Sequence, residues 1–119
     1  MKTELGRTPI VVEDAYGTWL WVDERVAQFP VLARRTLGQR LTNASLDALV
    51  ATVEAAMTSG AARIVLLREA NRALTVARIL LRATRDRRLL SIAQHEHVMQ
   101  RVDARGRQLG GWIRSEAAK

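Results

Sequence analysis

A chain of 119 residues with a net charge of +7 and no cysteine is long enough to bury one hydrophobic core and too short for two. The absence of thiols excludes disulfides and thiolate metal sites and fits a reducing cytoplasm. No apolar run approaches the roughly 20 residues of a membrane span, and Glu4 and Arg7 interrupt the start where a secretory core would run; the expectation is one soluble, cytoplasmic domain with no membrane partner.

Proline occurs only at Pro9 and Pro30, and no alternating run of β-branched residues is long enough for a strand. The pattern therefore predicts helices throughout. The first spans about 11–28, with Val12, Tyr16, Trp19, Val22 and Val26 on one stripe. Asp23 falls awkwardly on that stripe and calls for an arginine partner. Trp21 projects to the opposite side and is a candidate interface residue. Residues 1–10 and the last four are expected to fray.

The second helix opens at Pro30, a residue suited to a first helical turn, and runs to about 58, with Gly60 as its stop. It is apolar almost all the way round. Leu37, Leu41, Ala44, Ala48 and Ala55 make one face; Leu46, Leu49, Val50, Val53, Ala56 and Met57 make another. A small bundle buries only one of them, so the second face predicts self-association.

The third helix covers about 61–85. Leu66, Ala70, Ala73, Leu74, Ala77, Leu80 and Leu81 share its apolar face, while Arg68, Arg72, Arg78, Arg82 and Arg85 occupy an arc of about 140° on the other, along a helix about 40 Å long. Only Glu69 and Asp86 interrupt this basic series. Solvated faces ordinarily alternate sign, so the stripe reads as an anion-binding surface, with a merely solvated face as the alternative.

The fourth helix, about 91–115, begins at Ser91, whose hydroxyl can cap the backbone while Gln94 reaches back in a capping box. Ile92, Val98, Met99, Val102, Leu109 and Ile113 trace its core stripe. Gly106 and Gly110, four residues apart on or beside that stripe, predict a tight helix crossing, with Trp112 covering the space beyond. Connections are short, so sequential helices should be antiparallel in an up-down-up-down four-helix bundle.

Charge is divided unevenly. Residues 1–60 carry −1 and residues 61–119 carry +8, and seventeen of the nineteen cations are arginine, whose planar fork pairs two-pronged with phosphate. A polyanionic partner follows, unless the arginines reflect codon usage and a solvated face. Arg101, Arg105, Arg107 and Arg114 on the fourth helix would extend the stripe. Catalysis finds no foothold. His95 and His97 are two apart on a helix and point to different sides, so they cannot share a metal. Ser45, Ser59, Ser91 and Ser115 have no nucleophile-elbow setting, and no glycine-rich loop follows a strand to cradle a nucleotide. The carboxylates are dispersed, with no inward Glu-x-x-His repeat. No enzyme activity, metal or cofactor is expected.

Three segments carry a family resemblance: FPVLARRTLGQRL at 29–41, LREANRALTVARILLRATRDRRLLSIAQHEHV at 67–98 and RGRQLGGWIRS at 105–115. Their order and spacing resemble the accessory variability determinants of diversity-generating retroelements, within a wider group of four-helix-bundle proteins that includes those encoded by ribosomal RNA intervening sequences. The resemblance covers about residues 15–115, with TLGQR and GRQLGGWIRS its most specific pieces. It implies a basic homopentameric barrel of four-helix bundles that binds template RNA or DNA and associates with the element's reverse transcriptase. The process served is mutagenic retrohoming, in which a template repeat is copied with adenine-directed errors into a variable gene region. The alternative is an oligomeric structural or protein-interaction bundle of the wider group with no retroelement role.

Overall fold

The computed structural model describes residues 9–119; the expectation for the start of the chain falls, through residue 8, outside them. Helix α1 is Ile10–Val26. Helix α2 is a continuous rod over 31–56, built from Val31–Ala33, a π-helical turn Arg34–Gly38 and Gln39–Ala56. Helix α3 is Gly60–Asp86 and α4 is Ile92–Ala117. No strand occurs among the described residues. Helix α1 packs on α2 and α4, and α3 packs on α2 and α4, which closes a four-helix bundle measuring 46 × 27 × 23 Å.

The ends of the helices follow local chemistry. Ser91 and Gln94 form the expected capping box: the Gln94 amide donates to Ser91 Oγ at 3.0 Å, and the Ser91 amide donates to Gln94 Oε1 at 3.0 Å. Gly60 does not stop α2. It is the first residue of α3, with φ +68°, a conformation that lets glycine turn the chain without the clash a Cβ would bring. Arg88 ends α3 in the same left-handed region, at φ 59°. There the Leu89 amide reaches Thr84 O at 2.8 Å and the Arg88 amide reaches Arg85 O at 2.9 Å, the two bonds of a Schellman motif.

The core is aliphatic. Val22, Leu41, Leu67, Leu81, Val98 and Val102 are almost fully buried, and removing each large side chain from water stabilises the fold by roughly 1.5–3 kcal/mol. Ala44, Ala48, Ala51 and Ala55 of α2 lie in the same buried cluster as Ala70 and Ala77 of α3; such small side chains let two helix axes approach. The tight crossing inferred for Gly106 and Gly110 is therefore not the close approach within the chain. A Cβ on Gly106 would meet only the Arg78 guanidinium at 3.4 Å, and one on Gly110 only the Arg114 guanidinium at 3.4 Å. The cramped glycine is Gly38, in the π turn, where a Cβ would lie 2.7 Å from Val26 Cγ1 and 3.2 Å from Ala33 O.

Several other positions depart from the simple wheel. Tyr16 is 47 % and Ile92 76 % exposed, and Asp23 is on the surface and not in the core. Trp21 is half-buried against the core, its ring 5.4 Å from His97 of α4 and 5.8 Å from the Arg25 guanidinium. Trp21 is drawn in because α1 packs on two neighbours, α2 and α4, and so buries a wider arc than one stripe; Ile92 is the first residue of α4, at its exposed end.

Where α2 passes into α3, Arg63 is buried. Its Nε donates to Ala55 O at 2.9 Å, its Nη1 lies 3.4 Å from Glu116 Oε2, and its guanidinium stacks 5.2 Å from the Trp112 ring. Trp112 thus covers an arginine and not a glycine crossing. Glu116 also accepts the Gly60 amide at 2.7 Å and Lys119 Nζ at 2.8 Å. Lys119, then the Gly60 amide, with Arg63 adding to them, hold the Glu116 carboxyl down at about 2 against the desolvation that would raise it.

Candidate nucleic-acid interface

The arginines of the third helix divide by surroundings. Arg68, Arg72, Arg82 and Arg85 are exposed on α3, because the 3.6-residue period turns them away from the Leu67, Leu74 and Leu81 face. Arg85 pairs with its neighbour Asp86 at 3.3 Å, an exposed contact of small energetic weight. Arg78 is half-buried and reaches across to α4, where its Nη2 lies 3.1 Å from Asp103 Oδ1. That pair ties two helices together and reduces what Arg78 offers an outside phosphate.

On α4 the four proposed cations also separate. Arg107 and Arg114 are exposed. Arg101 is half-buried, its Nη1 3.4 Å from where a Cβ on Gly17 would stand, so the missing side chain on α1 makes room for it. Arg105 belongs to the interior of the α1–α4 seam: its side chain is 13 % exposed and Nη2 lies 3.4 Å from Asp14 Oδ2. Burial lowers its pKa, opposed by the Asp14 carboxylate. Arg105 is held in the seam by Asp14 and turns little of its side chain to the outside.

Five exposed arginines escaped the sequence reading: Arg34, Arg35 and Arg40 at the start of α2, and Arg87 and Arg88 after α3. Antiparallel packing brings the start of α2 and the end of α3 to one end of the bundle, where the π turn contacts α3. The adjacent RR pairs at 34–35 and 87–88 were the available signal, but a wheel drawn for one helix at a time does not join them.

The basic face is not purely polar. Val65, Val76 and Ile79 are each about half exposed on α3. Beside them, Leu46, Val50, Ala73 and Val76 line an open groove between α2 and α3, rimmed by Asp47, Glu54, Glu69 and Arg72. Of the residues assigned to self-association, Leu46, Val50 and Met57 are exposed. Leu49 and Val53 are half-buried and line a second open groove with Val12 and Tyr16 of α1. Trp21 is engaged within the chain.

Among the described residues, no three His, Asp or Glu side chains gather as a metal site, and no helix is long and apolar enough to cross a membrane. A family model described as bAvd-like matches residues 18–116. No curated protein and no solved structure matches the chain.

Proposed function

Since the chain belongs to the bAvd-like family over most of its length, as its resemblance to the accessory variability determinants implies, we propose that it is a non-catalytic accessory factor of a diversity-generating retroelement. It assembles as a homopentamer, holds template RNA or DNA through phosphates, and delivers it to the element's reverse transcriptase. The observation that carries the nucleic-acid part is the exposed run Arg68, Arg72, Arg82 and Arg85 on α3, with Arg107 and Arg114 exposed on α4.

Guanidinium groups spaced along a rod suit a polyanion read by charge and shape. No aromatic platform accompanies them for stacking bases, so little sequence preference is expected. Repetition around an oligomer multiplies individually weak contacts. Self-association rests on Leu46, Val50 and Met57, apolar and exposed on one side of α2. The exposed Val65, Val76 and Ile79 favour a second reading, a purely protein-binding bundle in which the arginines only solvate the surface.

Salt separates the two. Phosphate binding should weaken linearly in log salt, with a slope of about 0.7–0.9 per phosphate neutralised. Changing Arg68, Arg72 and Arg82 together to glutamate should abolish binding to single strands and duplexes while helicity and oligomer mass stay unchanged. A triple variant that binds as tightly as the parent at the same salt would leave the protein-binding reading standing. Co-purification with a co-expressed reverse transcriptase of a diversity-generating retroelement tests the partner independently.

A further inference from the structure

A small cavity of about 20 Å³ lies among the four helices, walled by Trp19, Arg105 and Gln108, by apolar side chains that include Leu74 and Leu109, and by Thr18, Ser45 and Thr52. The hydroxyls of Thr18, Ser45 and Thr52 already donate to backbone carbonyls of their own helices. Trp19, Arg105 and Gln108 each carry one side-chain polar atom, respectively Nε1, Nε and Oε1, that is sealed from solvent without a hydrogen-bond partner in the protein. A buried polar group left unpaired is costly, and the three, all on residues that line one cavity, form a complementary set: two donors and one acceptor.

The orientation of the set follows from Asp14. Its Oδ2 accepts Gln108 Nε2 at 2.8 Å and faces Arg105 Nη2 at 3.4 Å. Reversing the Gln108 amide would set oxygen against carboxylate, so Nε2 is committed to Asp14 and Oε1 is left for the cavity. We propose that this cavity is a binding site for one resident water molecule, which accepts the Trp19 Nε1–H and Arg105 Nε–H bonds and donates one to Gln108 Oε1.

Size and charge both select water. One water needs roughly 10–15 Å³ on this measure and makes about three bonds when buried. An anion would face the lone pairs of Gln108 Oε1, and a cation would face Arg105. The site also accounts for how Arg105 and Gln108, polar residues on the inner side of α4, are accommodated beside Leu109. The water joins α1 to α4 from inside while Asp14 joins them from outside.

A crystal structure at high resolution should show one ordered water at about 2.7–3.2 Å from all three atoms. In solution, the Trp19 indole proton should give a nuclear Overhauser cross-peak to water with the sign of a long-lived internal molecule. With only three tryptophans in the chain, the resonance is assigned by its loss in Trp19→Phe. Well-ordered side chains around an empty cavity, a direct Trp19–Gln108 hydrogen bond that closes it, or a Trp19 indole proton with no cross-peak to water would each overturn the proposal.

Discussion

Arg63 Nη1 lies 3.4 Å from Glu116 Oε2, with the two side chains 5 % and 3 % exposed, and the pair bolts the start of α3 to the end of α4. Glu116 has a carboxyl held at about 2 in the folded chain against an ordinary 4.5. A depressed carboxylate contributes stability that is complete above the unfolded value and disappears as pH falls through the folded one. Melting temperature should therefore drop between about pH 4.5 and pH 2, and Glu116→Gln should flatten that part of the profile while lowering stability at pH 7. An unaltered acid limb in Glu116→Gln would show that the carboxylate does not couple to folding.

The three glycines should respond with opposite signs. Alanine in place of helical glycine gains about 1 kcal/mol, and at Gly106 and Gly110 the nearest groups are guanidinium tips able to move aside. Each of these substitutions should raise the melting temperature of the monomeric unit. At Gly38 the new methyl would press on Val26 Cγ1, and overpacking costs about 1–3 kcal/mol, so Gly38→Ala should be net destabilising by up to about 2 kcal/mol. Denaturant melts of the three variants decide it; a stabilised Gly38→Ala would refute the close packing of the π turn.

Arg88 holds the left-handed corner of the α3–α4 turn with φ 59°, a conformation that costs an L-residue about 1–2 kcal/mol. Glycine removes that cost but gives the unfolded chain more freedom. Arg88→Gly is expected to stabilise the protein by about 1 kcal/mol or less, measured by denaturant melts. If Arg88 also contacts phosphate, affinity should fall while stability rises.

For the oligomer, Leu46→Glu combined with Val50→Glu should lower the mass seen by light scattering without loss of helicity, because both side chains are exposed in the single chain. An unchanged mass would move the interface elsewhere. Leu49→Glu is a different experiment, since Leu49 is half-buried and lines both the open groove beside α1 and the small cavity, so a charge there should lower stability as well as mass.

Paired with Arg68, Arg72 and Arg82, Arg105 serves as an internal control. Arg105→Gln should lower the melting temperature by removing the ion pair to Asp14, with nucleic-acid affinity per folded molecule unchanged. Loss of affinity without loss of stability would return Arg105 to the binding face.

Periodicity in the sequence was sufficient for the four helices, their order and the capping box at Ser91, because each depends on contacts within a few residues along the chain. It also separated Leu41, Leu74 and Leu81 from Arg68, Arg72 and Arg82, since one helix face must leave water and the other need not. The motifs TLGQR and GRQLGGWIRS were enough to point to the family. Packing decided the rest. A wheel treats every arginine alike, yet Arg63 and Arg105 are drawn inward because Glu116 and Asp14, 53 and 91 residues away in the chain, meet them there. Gly38 became the crowded glycine because a π turn aims it at Val26 and Phe29, while Gly106 and Gly110 kept open surroundings. Which polar groups are buried, and beside what, is set by the meeting of distant helices, and no local pattern carries that information.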